Sequence, residues 1–192
     1  MEIPHKELQS FITGAAQIKK GLPPVEKWEP DFCGDIDMLI KRDGSWFYMG
    51  TPIVRKELVR LFSTILRKDK DGKTYLVTPG EKVGITVEDA PFLAVEMSCQ
   101  GTGKEQILTF RSNVNDVIIA GHENSLRFEI DNENEGLKPY ILVRGRLEAL
   151  LTRAITLDLI ALGQEVVLNG KSYFVIYSQG VLFPIMPVDE LL

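Results

Sequence analysis

The feature that most constrains the fold of this chain is a motif that occurs twice. Asp71-Gly72-Lys73-Thr74-Tyr75-Leu76-Val77 reads like Asn169-Gly170-Lys171-Ser172-Tyr173-Phe174-Val175. Upstream of the first lie Val54-Arg55 with Leu58, Leu61 and Phe62; upstream of the second lie Val143-Arg144 with Leu147, Leu150 and Leu151. Asp-Gly and Asn-Gly are common hairpin turns, and leucines three and four apart mark any amphipathic helix. The shared order is what separates the pair from coincidence: Val-Arg, a helix, a Gly-Lys turn, then Tyr-x-Val. The period is far longer than that of a solenoid, so the reading is two tandem subdomains rather than an array. Such a duplication would put an interface between similar halves, a preferred place for a ligand.

The expected fold class is α+β, two similar subdomains, each a mostly antiparallel sheet with one main helix. Residues 1–30 are assigned to an N-terminal helix and a Pro-rich connector, 31–98 to the first subdomain and 99–192 to the second. Leu8, Phe11, Ile12, Ala15 and Ile18 give the short N-terminal helix its period. Asp35–Lys41 and Ser45–Met49 around Asp43-Gly44 predict a hairpin. A helix is expected from Val54 to Leu66, and strands at Thr74–Val77, Val83–Val87, Phe92–Met97, Gln106–Arg111 and Val117–Ile119. In the second half, strands at Leu126–Ile130 and Tyr140–Val143 flank a polar turn, Asn132 to Gly136. A long helix is expected from Arg146 to Leu162, followed by a hairpin, Val166–Leu168 with Ser172–Tyr177, and a last strand, Val181–Phe183.

Composition narrows the function classes. The 192 residues are 44% hydrophobic and 26% charged, ordinary for a globular protein. No apolar run approaches the length of a membrane span, and the N-terminus does not read as a signal peptide. Two cysteines, Cys33 and Cys99, make no disulfide framework. These features predict a cytoplasmic protein. The net charge of −5 argues against a nucleic-acid partner, because such binding displaces counterions with basic surface. Trp28, Trp46, Tyr48, Tyr140 and Tyr173 are accordingly read as core or interface aromatics rather than a stacking platform. The oligomeric state is left open.

Catalytic and metal motifs mostly fail. The two histidines, His5 and His122, are far apart in sequence, and no zinc or calcium spacing is present. Gly103-Lys104 lacks the remainder of a phosphate loop, since Ser98 stands where its glycine belongs and Glu105 follows the lysine. No metal or cofactor is called for.

Asp35 and Asp37 flank Ile36, so on a strand both carboxylates share one face, available to a cation or as a general base, or simply solvated. The stretch Thr78 to Phe92 is dense in Gly, Pro and charge, and its rigid turns could fix Glu81, Lys82, Glu88 and Asp89. Arg55 and Arg144 hold matching places in the two copies. A guanidinium suits a carboxylate or phosphate, and under a pseudo-twofold axis the two could converge. Equally, each could be a structural ion pair, Arg55 to Asp37, Glu81 or Glu88. The candidate ligand-binding set is therefore Asp37, Arg55, Glu81, Lys82, Glu88, Asp89 and Arg144, and no catalytic residue is assigned.

Several stretches resemble one bacterial family, the domain of unknown function 1285. They are Cys33–Met38, Asp43–Ile53, Leu58–Phe62, Leu76–Pro79 and Glu81–Phe92, and in the second half Tyr140–Arg144 and Leu147–Leu150. The likeness covers roughly residues 28 to 185. Gly80 departs from it, standing where the family's Thr-Pro-x-Glu-Lys motif would carry a β-branched residue. The resemblance implies a duplicated core, a C-terminal half similar to pleckstrin-homology folds, a cleft between halves as the binding site and a role in signal transduction. It carries no catalytic residues. The leading expectation is a cytoplasmic module that senses a small anionic ligand or a protein partner between the subdomains. The alternatives are an enzyme with Asp37, Glu88 or Asp89 as acid or base, and a protein-interaction scaffold.

Overall fold

The computed structural model describes residues 21–131 and 136–190. The expected N-terminal helix and most of the turn from Asn132 to Gly136 lie outside the described residues. The chain divides into two compact units: one ends at Pro91 and takes in Gly145–Leu147, the other holds Phe92–Arg144 and continues from Glu148.

In the first unit, β1 (Phe32–Ile40), β2 (Trp46–Tyr48) and β3 (Thr51–Pro52) form a meander. Asp43-Gly44 makes its first turn, with Gly44 at φ 77°. Helix α1 (Lys56–Thr64) follows, then a second meander of β4 (Leu66–Lys68), β5 (Thr74–Val77) and β6 (Lys82–Val87). β6 returns beside β1 in parallel, closing a six-stranded sheet of order β3-β2-β1-β6-β5-β4. Met38, Ile40, Trp46, Phe62, Ile65, Leu66 and Leu76 are buried, with Phe62 of α1 stacked on Trp46 at 6.4 Å between centroids.

The second unit repeats this wiring. β7 (Phe92–Gln100), β8 (Ile107–Ser112) and β9 (Val117–Ile119) form one meander, and β10 (Leu126–Ile130), β11 (Leu137–Arg144) and β12 (Leu147–Leu151) the next. β12 pairs with β7 in parallel, so the sheet order is β10-β11-β12-β7-β8-β9. First and last strands of each set of six are therefore central and parallel in both units. Helix α2 (Arg153–Ala161) packs on β7 and β11 through Ile155, Thr156 and Leu159. A further antiparallel sheet of β13 (Gln164–Leu168), β14 (Lys171–Ser178) and β15 (Val181–Pro187) has no counterpart in the first unit.

The duplication is thus one of topology, and its register differs from the repeated motif. Tyr75 stands on β5, whose counterpart is β11, whereas Tyr173 stands on β14 of the additional sheet. The turns differ too: Asn169 (φ 52°) and Gly170 (φ 80°) are both left-handed, as a two-residue hairpin turn requires, while Asp71-Gly72 ends a longer loop with only Gly72 left-handed. The helices sit in different links, α1 between the two meanders and α2 after the second sheet closes. Since Arg55 precedes α1 and Arg144 ends β11, they do not occupy equivalent places, and the pseudo-twofold argument that paired them falls.

The single helix expected over Arg146–Leu162 is a strand and a shorter helix. Gly145 at φ 53° turns the chain, and Leu147, Ala149 and Leu151 alternate into the core with a period of two. Pairing with β7 overrides the helix propensity of Leu-Glu-Ala-Leu-Leu. The strand β7 runs unbroken from Phe92 to Gln100, so residues 92–98 belong with the second unit.

Candidate functional site

The first unit carries a groove of about 340 Å³ built on β1, β5 and β6. Asp35 and Ile36 line it from β1, Gly72, Lys73 and Thr74 from the β4–β5 turn and the start of β5, and Gly84 through Val87 from β6. Its logic starts at Gly84, which stands between Asp35 on one side and Tyr75 on the other in the strand register. A Cβ placed on Gly84 would collide with Asp35 Oδ1 and come within 3.1 Å of its Cγ. Gly84 has no left-handed backbone to explain it; the space a side chain would take there is filled by the carboxylate of Asp35 lying across the β6 backbone.

The charged groups around this row are mostly committed. Tyr75 Oη donates to Asp71 Oδ2 at 2.6 Å, and Asp71 Oδ1 accepts from the Lys73 amide at 2.9 Å. The phenol's hydrogen bond holds the Asp71 carboxyl below its ordinary range, and the same bond, with burial and nearby carboxylates, pushes Tyr75 up to about 12. Asp69 is held by Arg67 Nε at 2.6 Å and Lys82 Nζ at 3.4 Å. Lys82 also sits 4.8 Å above the Tyr75 ring, and Phe32 meets that ring edge-on at 6.0 Å. Arg67, buried, donates further to the carbonyls of Val25 and Trp28 and so pins the Pro-rich connector to β4.

Asp35 and Lys73 are different. Both residues line the groove, and among the described residues neither charged end has a hydrogen-bond or salt-bridge partner, including each other, Lys73 acting on the Asp71 carboxyl through its charge alone. Thr86 adds a hydroxyl on the same face of β6 as Gly84, whereas Ile85 and Val87 alternate to the other face. The site therefore offers one acceptor-only group and one donor-only group on either side of β6.

The residues singled out from sequence take other places. Lys82 belongs to the Asp69–Tyr75 cluster beside the groove. Glu88 and Asp89 come together on Arg42, Glu88 accepting from its amide at 2.8 Å and Asp89 pairing with its Nε at 3.5 Å. Glu81 lies in the β5–β6 turn, where its amide donates to Thr78 Oγ1. Asp37 is exposed on β1, and Arg55 is exposed immediately before α1. In the second unit Arg144 Nη1 is 2.6 Å from Asp116 Oδ2 and its guanidinium lies 4.9 Å from the Phe92 ring centroid. Arg127 is gripped by Glu148 and Glu129 over the face of Tyr140, and its hydrogen bond to Glu148 drives its pKa further up. Sequence reasoning placed Asp37 in the candidate set and left Asp35, Lys73, Tyr75 and Gly84 out of it. Lys73 and Tyr75 stand within the first copy of the repeated motif, the one signal that pointed at this groove.

Among the described residues no three His, Cys, Asp or Glu side chains gather as a metal ion would need, and no helix is long and apolar enough to cross a membrane.

Comparison with known proteins gives one consistent result. Residues 23–90 match a family described as "Domain of unknown function (DUF1285), N-terminal domain", and residues 91–185 match "Protein of unknown function (DUF1285), C-terminal domain". The crystal structure of a DUF1285 family protein from Silicibacter pomeroyi DSS-3 is similar at 47% identity and a TM-score of 0.85, over 94% of this chain and 97% of that one. A second, from Shewanella baltica OS155, is similar at 25% identity and a TM-score of 0.51, over 65% of this chain and 90% of that one. No curated protein matches the sequence.

Proposed function

We propose a binding role for this chain, which belongs to the DUF1285 family: its first unit takes a small polar ligand bearing an acidic group in the groove of β1, β5 and β6. The observation that carries the reading is the contrast within one cluster. Asp69, Asp71, Lys82, Arg67 and Tyr75 are bonded to one another, while the charged ends facing the groove are left to the solvent. Lys73 is the group that would meet the acid. A volume of about 340 Å³ sits at the lower end of the usual range for ligand sites and suits a small metabolite rather than a nucleotide with its polyphosphate. Of the three carboxylates proposed from sequence as acid or base, Glu88 and Asp89 are engaged by Arg42 and Asp37 is exposed on β1, all outside the groove's lining, which favours binding over turnover. Sensing in signal transduction is a use to which binding of this kind could be put.

The test is a thermal-shift screen of the full chain against carboxylic acids, phosphorylated metabolites and amino acids. A ligand at about 100 times its dissociation constant stabilises by about 2.7 kcal/mol. The expected result is a shift that disappears in Lys73→Met and in Thr86→Trp, which fills the groove from an exposed position. No shift across the panel, or one that survives Thr86→Trp, would overturn the proposal.

A further inference from the structure

Asp35 is the part of the groove that a purely anionic ligand would leave unexplained, and it points to the ligand's second half. A carboxylate on an exposed strand position is ordinarily free to swing into water. Here its Oδ1 occupies the space that any side chain at residue 84 would need, so the backbone of β6 gives the carboxylate a seat on the groove's wall. Close by stand Asp71 and Asp69, which with Asp35 all act on the Tyr75 phenol. Asp69 is answered by Arg67 and Lys82, and Asp71 by Tyr75 and the Lys73 amide, so Asp35 is the carboxylate left for a cation.

Lys73 provides the opposite pole. Lys73 leads into β5 and Asp35 lies on β1, on either side of β6, so their backbones are at least two strand spacings, roughly 10 Å, apart. They do not bridge to each other. Between the two poles, on the same face of β6, stand Gly84 and Thr86.

We infer that the ligand is a small zwitterion of the amino-acid class, its ammonium on Asp35, its carboxylate on Lys73 and its carbon chain across β6 over Gly84 and Thr86. This rests on the groove being a ligand site, as proposed above, and adds the cationic half. Specificity would come from the pair: an amine or an acid alone leaves one charge of the site facing the wrong neighbour.

The experiment is calorimetric titration of the full chain with three probe sets: α-amino acids, ω-amino acids from glycine to 6-aminohexanoate, and the matching amines and carboxylates that lack one charge. At least one zwitterion should bind about tenfold or more tightly than either single-charge analogue. Asp35→Asn should remove that advantage while leaving the carboxylate's affinity in place, and Lys73→Met should do the reverse. Gly84→Ala should mimic Asp35→Asn, because the new methyl displaces the carboxylate while the backbone stays as it is. Asp35→Lys should turn the preference towards dicarboxylates.

If carboxylates bind as tightly as zwitterions and Asp35→Asn changes nothing, the zwitterion reading is overturned while the groove remains a site. If no probe binds, or binding survives Thr86→Trp, both readings are overturned.

Discussion

Replacing Ser178 by alanine should destabilise the second unit more than any other loss of a single oxygen atom there. The hydroxyl is fully buried at the end of β14 and serves two strands of the neighbouring sheet. It accepts from the Leu108 amide at 3.0 Å and donates to the Ala120 carbonyl at 2.7 Å. Next to it Gln106 Nε2 donates to the Tyr177 carbonyl at 2.8 Å, and the Gln179 amide donates to the Gln106 carbonyl at 3.0 Å. Together these bonds join the β13–β15 sheet to β8. Alanine would leave the Leu108 N–H buried without a partner, at about 1–3 kcal/mol, and the Ala120 carbonyl would lose one acceptor bond, a smaller penalty since it keeps a second lone pair. Relief from burying the hydroxyl itself offsets part of this. The expected net loss is about 2 kcal/mol, to be read from urea unfolding followed by a probe in the second unit, with the slope against denaturant unchanged. Ser178→Thr keeps the hydroxyl and serves as the control for crowding. A loss below about 0.5 kcal/mol for Ser178→Ala would refute the claim that this hydroxyl joins the two sheets.

Three further outcomes are expected. Tyr75, raised from 10 to about 12, contributes stability that is fully present below pH 10 and is lost as pH climbs through 12; ultraviolet titration should show one phenol ionising near 12 that is missing in Tyr75→Phe and that moves back towards 10 in Asp71→Asn. Arg67→Met would take a donor from the carbonyls of Val25 and Trp28 and leave the Asp69 carboxylate to Lys82 alone, costing about 3 kcal/mol and opening the 22–30 segment to limited proteolysis under native conditions. Gly163→Ala would drive a methyl into the Phe174 ring, costing about 1–3 kcal/mol; Phe174→Leu in the same chain should recover most of it, and a simple sum of the two losses would disprove the clash.

Local signals in the sequence located local structure well. The Asp43-Gly44 and Asn169-Gly170 turns lie where hairpins are found, and β5, β9 and β10 begin and end at the expected residues. What failed were the inferences needing to know which strands meet beyond a hairpin. Leu147–Leu151 has the composition of a helix, and only its burial beside β7 makes it a strand. The repeated Gly-Lys-x-Tyr motif marks hairpins in two different sheets, because a turn and an alternating strand are written alike wherever they occur. The duplication that exists is an order of strand pairing, to which no residue letters correspond.

The groove was hidden for the same reason, and its hidden part is the chemically informative one. Asp35 and Asp37 share a face of β1, and depth in the strand favoured Asp37. Depth was the wrong criterion; what distinguishes the two is the neighbour across the sheet. Asp35 faces Gly84 on β6, almost fifty residues later in the chain, through a parallel pairing that no hairpin turn announces. That one register turns an unremarkable glycine into the seat of a carboxylate and sets it across β6 from Lys73. A shift of one residue in the pairing of β1 with β6 would put a side chain against Asp35 and expel it to solvent. The binding proposal therefore stands on the β1–β6 register, and Gly84→Ala, which perturbs that contact alone, tests it more directly than any substitution of a charged residue.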